Sequence, residues 1–285
     1  MINTVKDNDK YCKIVLGGVD MLGAIIGDLA GSVYEYGQIK KVTPVKVDKV
    51  IEKDAFYSDD TILTIAIADA IMNKQNYGEK LRDYVNVYCN QLPEHKPYFK
   101  TMFSPGLTKW AKGNDVGESH GNGAMMRVSP VGYLFNTEED VIRNAKLVTI
   151  PSHNAKEAID AATKVALIIY YARMGLSKVE ITKKLKIDIH KPSITKFNYT
   201  CEDTIDVCMY SLFTSDNFVD SIKTAISFGG DTDTNACIVG SMAEAVYGIP
   251  ENLKKQAFEK LPSNFQNTIK QAYSQLQDIT NTLNM

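Results

Sequence analysis

The most informative segment of the chain is GGDTDTNACIVGSMAEAVY, which spans residues 229–247. Its two glycines predict a bend, and residues 234–247 are typical of a helix that Gly248 and Pro250 end. Alanine, glycine and serine are frequent in this helix, so neighbouring helices can approach it closely. We therefore predict a buried helix that begins directly after a glycine bend.

Three side chains with oxygen atoms open this helix, namely Asp231, Asp233 and Thr234. A helix N-cap requires only one side-chain oxygen, and carboxylates beside a buried apolar helix are costly unless something neutralises them. A bound cation would do so, and we interpret the segment as a metal site. A plain N-cap is the alternative interpretation.

A second acidic segment, Tyr-Ser-Asp-Asp-Thr, occupies residues 57–61. It directly precedes residues 62–72, which are apolar on nearly every side and predict a central buried helix. Ser58 or Asp59 could serve only as the N-cap of that helix, whereas the adjacent carboxylates of Asp59 and Asp60 favour a cation. Two such clusters, far apart in sequence, suggest a two-metal site. Oxygen ligands without a histidine or cysteine cluster indicate Mg²⁺, Mn²⁺ or Ca²⁺ rather than Zn²⁺.

Two glycine-bearing segments and one histidine complete the set of candidates. Gly27 and Gly31 share one face of a predicted helix, and Glu35 follows near its end. Residues 121–123, Gly-Asn-Gly, can form a backbone nest that binds an anion, although such turns are common in loops. His153 precedes a long predicted helix, where a single histidine is usually structural.

Helical periodicity dominates the rest of the chain. Apolar residues recur at steps of three and four within residues 154–174 and 265–279, and Ser215 or Asp216 is placed to cap a further helix. The valines between residues 42 and 50 predict at most a short edge ribbon. These patterns predict a mainly α-helical bundle.

No linker divides the chain, so we expect a single domain over residues 21–285, preceded by an N-terminal extension at residues 1–20. The formal net charge of -2 gives no general electrostatic attraction to nucleic acid or to an anionic membrane. The longest apolar run, residues 165–172, is too short to span a bilayer. The polar N-terminus lacks a secretion signal, and the five scattered cysteines show no disulfide framework, so we expect a cytoplasmic protein.

The assembled segments resemble the ADP-ribosylglycohydrolase family, which includes the dinitrogenase-reductase-activating glycohydrolase. The matching segments, in family order, are GAIIGDLAGSVYE, YSDDT, HGNGAMMRVSPVG, PSHNAKEAI and SFGGDTDTNACIVGSMAEAVYGIP. The resemblance covers the chain from about Met21 onward. It implies an all-α, single-domain orthogonal helical bundle with two Mg²⁺ or Mn²⁺ ions.

The resemblance also implies roles for individual residues. The metal ligands would be Ser58, Asp59, Asp60, Asp231, Asp233 and Thr234. The residues at the substrate would be Glu35 at the metals and ribose, Gly121, Asn122 and Gly123 along the ADP-ribose, His153 near the ligand, and Tyr199 at the adenine. The chain departs from the family at residues 201–207, CEDTIDV, which adds acidic side chains beside the predicted adenine end.

The expected activity is metal-dependent hydrolysis of the bond between ribose C1 of ADP-ribose and a protein side chain, with Glu35 or Asp60 as the acid/base residue. The substrate would be an ADP-ribosylated protein or a free ADP-ribose derivative, and nucleic acid would be a partner only when it carries ADP-ribose. Two alternatives stay open at this point: a catalytically silent ADP-ribose-binding relative, and another two-metal hydrolase such as a phosphodiesterase.

Overall fold

The computed structural model describes residues 21–92, 101–113 and 115–283, with side chains described as far as residue 277. Within these ranges helices are the only regular secondary structure, which confirms the predicted all-α fold. The predicted extension at residues 1–20 lies outside the described residues. None of the helices in this part of the chain combines the length and the apolar character that crossing a membrane requires.

The helices follow one another with short connections. They are α1 (Gly23–Gln38), α2 (Asp59–Met72), α3 (Tyr77–Tyr88), α4 (Pro105–Lys112), α5 (Gly123–Met126), α6 (Ser129–Leu134), α7 (Glu138–Thr149), α8 (Lys156–Arg173), α9 (Lys178–Leu185), α10 (Cys201–Thr214), α11 (Phe218–Ser227), α12 (Thr232–Tyr247), α13 (Glu251–Glu259) and α14 (Ser263–Leu283). Helix α12 lies at the centre and packs against α1, α8, α10 and α11.

Helices α1 and α12 form the most intimate contact in the fold. Small residues recur every fourth position on both helices, so one face of each helix carries almost no side-chain bulk. A Cβ atom on Gly27 would lie 1.9 Å from the carbonyl oxygen of Ala236, and one on Gly31 would lie 2.2 Å from that of Thr232. The two backbones are therefore in direct contact, which no larger residue would allow at these positions.

A buried carboxylate on α12 secures the beginning of α1. Oε1 of Glu244 accepts a hydrogen bond of 2.8 Å from the backbone N–H of Met21, and Oε2 accepts one of 2.7 Å from Gly23. The first N–H groups of a helix have no partner within the helix itself. Glu244 supplies that partner from 221 residues away in sequence.

The predicted central helix is confirmed as α2, which is buried along nearly its whole length. It packs against α3, α14, α6 and α1. Ser58 is its N-cap, and the Ser58 side chain accepts a hydrogen bond from the backbone N–H of Asp60. The N-cap interpretation was therefore correct for Ser58, while Asp59 is the first residue of the helix.

Two local predictions were wrong. Residues 42–50 form no strand; the backbone N–H of Val45 instead donates to the carbonyl oxygen of Ser227, at the end of α11. The N-cap of α11 is Asn217, not Ser215 or Asp216, and the Asn217 side chain accepts from the N–H of Asp220. At residues 42–50 a contact with the end of α11 replaces the expected strand pairing. At the beginning of α11 the side chain of Asn217 replaces Ser215 or Asp216 as the cap.

The contact between α1 and α12 predicts a sharp difference between two glycines of the same helix. We expect Gly27→Ala to lower the free energy of unfolding by at least about 3 kcal/mol, because the added Cβ meets backbone atoms that cannot rotate away. Gly37→Ala is the matched control, since a Cβ there meets nothing within 4 Å, and it should stabilise by about 0.5–1 kcal/mol. Urea unfolding of both variants measures the difference, and equal effects would contradict the contact.

Candidate metal centre and ligand pocket

The two acidic segments meet at the beginnings of α2 and α12. Oγ1 of Thr234 donates a hydrogen bond of 3.1 Å to Oδ2 of Asp60, and Oγ of Ser58 donates one of 3.2 Å to the same atom. Residues 60 and 234 are 174 positions apart in the chain. The predicted meeting of these two segments is therefore present in the fold.

The carboxylates form two overlapping groups. Oxygen atoms of Asp28, Asp60 and Asp233 lie within 4.8 Å of one another, and so do oxygen atoms of Glu35, Asp231 and Asp233. A cation with oxygen ligands at about 2.0–2.6 Å can bridge carboxylates at such spacings. Because Asp233 belongs to both groups, the arrangement suits two neighbouring cations.

Burial makes this concentration of carboxylates costly. The pKa of Asp28 is raised to about 7, first by burial and then by the charge of Asp233. The pKa values of Asp60 and Asp231 are raised well above the ordinary range by the same causes in the same order. Oδ1 of Asp28 and Oδ1 of Asp60 are buried without a hydrogen-bond partner. Divalent cations fit this set of residues, because they would neutralise the carboxylates and satisfy the unpaired oxygens.

Asp28 is a site residue that the sequence analysis quoted but assigned no role. Its Oδ2 atom accepts hydrogen bonds from the backbone N–H of Ser58 at 2.8 Å and from the N–H of Thr61 at 3.1 Å. It also accepts from the Thr61 hydroxyl. Asp28 therefore ties α1 to the beginning of α2 with one oxygen, and its other oxygen is buried without a hydrogen-bond partner.

Two asparagines hold the turn that precedes α12. Nδ2 of Asn122 donates to Oδ2 of Asp231 at 2.8 Å, and Oδ1 of Asn198 accepts from the N–H of Asp231 at 2.9 Å. Gly229 and Gly230 adopt φ values of +74° and +75°, a conformation that suits glycine. The sequence analysis missed Asn198, which lies in a loop without any recognisable pattern.

A pocket of about 540 Å³ opens above the carboxylates, a size suited to a small organic ligand. Phe103 and Trp110 line one part of its wall, and Phe197 and Tyr199 line another. Arg82 anchors the first wall, because its guanidinium lies 4.0 Å from the centre of the Trp110 ring and hydrogen-bonds the Trp110 carbonyl oxygen. The pocket thus combines an acidic floor with aromatic sides.

The predicted anion-binding nest at residues 121–123 differs from expectation. The N–H of Gly121 donates to Oγ of Ser119 at 3.1 Å, and the N–H of Asn122 donates to the Tyr199 carbonyl oxygen at 2.9 Å. These two N–H groups are therefore engaged within the protein. The loop still lines the pocket, because its glycines leave room for a ligand and for His153.

His153 lies beneath this loop with only 5% of its surface exposed. Burial, the charge of Arg127 and that of His120 all lower its pKa well below the ordinary value. The imidazole is therefore neutral at pH 7. A neutral imidazole can donate one hydrogen bond from one ring nitrogen and accept one at the other.

The acidic segment at residues 201–207 is less negative at the pocket than its composition indicates. Asp203 pairs with Lys196 at 3.2 Å, and Asp206 pairs with His190 at 3.1 Å. Both pairs are at the surface, where solvent weakens the interaction. The acidic departure is thus partly compensated by the positive charge of Lys196.

The fold gathers nearly all of the predicted site residues in one place. Those that line the pocket are Glu35, Asp59, Asp60, Gly121, Asn122, Gly123, His153, Tyr199, Asp231, Asp233 and Thr234, while Ser58 contacts Asp60 at its floor. Asp28, Asn198 and the aromatic wall around Trp110 were not predicted as parts of the site. Only Asp28, between two helical glycines, carried a signal that could have identified it.

The chain is similar in sequence to several known proteins. A family model described as ADP-ribosylglycohydrolase matches residues 15–282. An ADP-ribosylhydrolase ARH3 from Xenopus tropicalis is 23% identical over 318 aligned positions, which cover 83% of this chain and 89% of the relative. An ADP-ribosylarginine hydrolase Tri1 from Pseudomonas putida is 23% identical, with coverage of 84% and 74%.

A solved structure has the same fold. It is described as an ADP-ribosylglycohydrolase-related protein complex and superposes with a TM-score of 0.70 at 20% identity. The superposition covers 94% of this chain and 99% of that one. The predicted ADP-ribosylglycohydrolase type of fold is therefore confirmed.

The raised pKa of Asp28 predicts how the metal-free protein responds to pH. A carboxylate that binds its proton more tightly in the folded state stabilises the fold at low pH, and this stabilisation is lost as pH rises through the folded-state value. For Asp28 the window runs from about pH 4 to about pH 7. We expect the metal-free protein to lose up to about 4 kcal/mol from this group across the window.

Asp28→Asn tests this expectation, because an amide keeps an oxygen acceptor for Ser58 and Thr61 but does not ionise. The free energy of unfolding of Asp28→Asn, minus that of the native chain, should rise as pH increases from 4 to 7. Saturating Mg²⁺ should reduce this difference. Chemical unfolding at several pH values, in the presence of a metal chelator, measures this difference in the free energy of unfolding. A difference that is independent of pH would contradict the assignment.

Proposed function

The chain belongs to the ADP-ribosylglycohydrolase family, and from this premise we propose that it removes ADP-ribose from modified protein side chains with two divalent cations at its acidic centre. One observation carries the proposal: two distant acidic segments meet through Thr234 and Asp60 at the floor of a pocket large enough for a nucleotide. The unpaired oxygens of Asp28 and Asp60 give the centre an affinity for cations.

The donor set favours Mg²⁺ or Mn²⁺, because every candidate ligand is an oxygen atom. Asp28, Asp60 and Asp233 would hold one ion, and Glu35, Asp231 and Asp233 would hold the other. The predicted ligands Ser58, Asp59 and Thr234 adjoin the same centre. Cations bound there would polarise the ribose hydroxyl groups and stabilise negative charge during the reaction.

The hydrolysis replaces the bond between ribose C1 and the side-chain atom by a bond between C1 and a water oxygen. C1 gains positive character as the old bond breaks, and the departing side chain takes up a proton. A carboxylate at the pocket must therefore accept a proton from water and return one to the leaving group. Glu35 and Asp60 are the two candidates.

Glu35 suits this exchange better than Asp60. Glu35 is only partly buried and lines the pocket beside Asp231 and Asp233. Asp60 is 2% exposed, and its Oδ2 atom already accepts from Ser58 and Thr234. We therefore assign proton transfer to Glu35 and a structural and metal-holding role to Asp60.

The aromatic walls suit the adenine end of the ligand. Tyr199 is 63% exposed and lines the pocket together with Phe197. An exposed ring at a pocket edge can stack on a purine without displacing other protein groups. Tyr199 lies outside both acidic segments of the chain. The proposed recognition of adenine and the proposed hydrolysis therefore involve residues on different elements.

Asp231→Asn tests the metal-dependent activity. We expect release of ADP-ribose in the presence of Mg²⁺ or Mn²⁺ to fall by at least about a hundredfold, because an amide cannot supply the negative charge that the cations need. Asp160→Asn is the matched control, since it removes an exposed carboxylate that pairs with Lys156 outside the pocket, and it should keep full activity. Arginine-, serine- and DNA-linked ADP-ribose are the substrates to compare.

Product analysis separates the alternatives in this assay. Free ADP-ribose supports a glycohydrolase, and phosphate or AMP would indicate a phosphodiesterase instead. Binding of ADP-ribose without turnover of any substrate would indicate a catalytically silent relative. Undiminished release by Asp231→Asn would contradict the proposed metal centre.

Tyr199 provides a separate test of the adenine end. Tyr199→Ala should raise KM about tenfold and leave kcat within about twofold, because base stacking contributes about 1–3 kcal/mol to binding and is made equally in the ground state and the transition state. Tyr199→Phe keeps the ring and should behave like the native chain. A loss of kcat without a change in KM would place Tyr199 at the chemistry instead.

A further inference from the structure

Arg127 is a buried cation at the pocket that the reaction described above does not use. It lines the pocket and has no exposed surface, and no carboxylate of the described residues forms an ion pair with it. Nε and Nη1 are buried without a hydrogen-bond partner. Burial lowers its pKa to about 10, so the guanidinium is charged at pH 7. Keeping such a charge is costly, which calls for a physical explanation.

The remaining nitrogen of Arg127 leads to His153 through one hydroxyl group. Nη2 of Arg127 lies 2.7 Å from Oγ of Ser152, and the same Oγ lies 2.7 Å from Nδ1 of His153. Nη2 itself is 3.5 Å from Nδ1. The three groups thus form a short chain that ends at the imidazole.

The chemistry of the groups sets the direction of the protons. A guanidinium only donates hydrogen bonds, so Ser152 Oγ accepts from Arg127 and has its own proton free to donate to Nδ1. A proton on Nδ1 would also point towards the positive charge of Arg127, which is unfavourable. Nδ1 is therefore the acceptor, and the single proton of the neutral ring is on Nε2.

Nε2 faces the glycine loop of the pocket. A Cβ atom on Gly123 would lie 3.3 Å from Nε2, and one on Gly121 would lie 3.5 Å from it. The two glycines therefore leave open the space in front of this nitrogen. The backbone N–H groups of Gly121 and Asn122 are already engaged, so the N–H of His153 is a donor that remains on this side of the pocket.

We propose that Arg127 is a positioning residue that, through Ser152, holds His153 as the neutral Nε2–H tautomer and so presents one hydrogen-bond donor to a phosphate oxygen of the ligand. The identity of that ligand rests on the proposed function, whereas the tautomer is a property of the ligand-free protein. Arg127 also places a buried positive charge beneath the part of the pocket where the phosphates would lie.

Nuclear magnetic resonance of the full chain with ¹⁵N-labelled histidine tests the tautomer, and His153→Gln assigns the resonance. The native chain should show an unprotonated Nδ1 and a protonated Nε2 at pH 7. Ser152→Ala removes only the hydroxyl link, and Arg127→Met removes the charge and the donor. We expect Arg127→Met to lose this signature and Ser152→Ala to show a smaller change, because the charge of Arg127 still disfavours a proton on Nδ1 in the second variant. Arg127→Lys should restore the signature in part, because the ammonium still donates to Ser152.

Two matched control variants distinguish loss of the hydrogen-bond chain from Arg127 through Ser152 to His153 from a general loss of packing. Arg173 is partly buried, and it donates to the carbonyl oxygens of Gly132 and Phe135 outside the pocket. Ser221 is a buried serine that donates to the carbonyl oxygen of Asn217. Arg173→Met and Ser221→Ala should leave the His153 resonances unchanged, and Ser152→Ala decides the matter even where Arg127→Met does not fold.

Binding of free ADP-ribose, measured by calorimetry with Mg²⁺ present, tests the role of the donor. Ser152→Ala should weaken binding about tenfold, because a hydrogen bond to a charged oxygen is lost or misdirected. A protonated Nδ1 in the native chain, an unchanged resonance in Ser152→Ala, or an unchanged affinity in that variant would overturn the proposal. If His153 has the predicted tautomer but the protein hydrolyses no ADP-ribose linkage, the proposed function is refuted. The proposed role of Arg127 and Ser152 in holding the tautomer is then retained.

Discussion

The direct backbone contact between α1 and α12 is the constraint on which the rest of the structure depends. Gly27 and Gly31 bring α1 against the carbonyl groups of α12, and any side chain at those positions would force the helices apart. The same contact brings Asp28 and Glu35, which belong to α1, beside Asp233 at the beginning of α12. The spacing of the carboxylates is thus a consequence of how closely two helices can pack.

The charges of the pocket are arranged by the same packing. Both acidic segments lie at helix N-termini, where the partial positive charge of the helix favours carboxylates. That effect is small beside the cost of burying several carboxylates together, and the proposed cations would complete the balance. Arg127 adds a buried positive charge that reaches His153, next to the glycine loop, through Ser152. In the proposed binding mode, the sugar of the ligand would lie at the acidic floor and its phosphates near His153.

Much of the fold and of the acidic centre could be predicted, because the signals were local. Helix α12 was expected from residue 234 and begins at residue 232, and α2 was recognised from its apolar composition. Asp231 and Asp233 stood out because a helix N-terminus does not need so many oxygens. Asn198 and Arg127 could not be assigned in this way, since their partners lie in other segments and nothing in their own neighbourhood indicates them.

The sequence by itself determined the main helices, the capping residue Ser58 and the two acidic turns, because helix periodicity and capping depend on residues within about four positions. Only the tertiary structure decided how those parts are used. Asn122 supports Asp231, and its own N–H is taken by the Tyr199 carbonyl oxygen, so the glycine loop is not the anion nest that its composition suggests. Hydrogen-bond partners and desolvation depend on which distant segments meet in space, and a local pattern contains no information about that meeting.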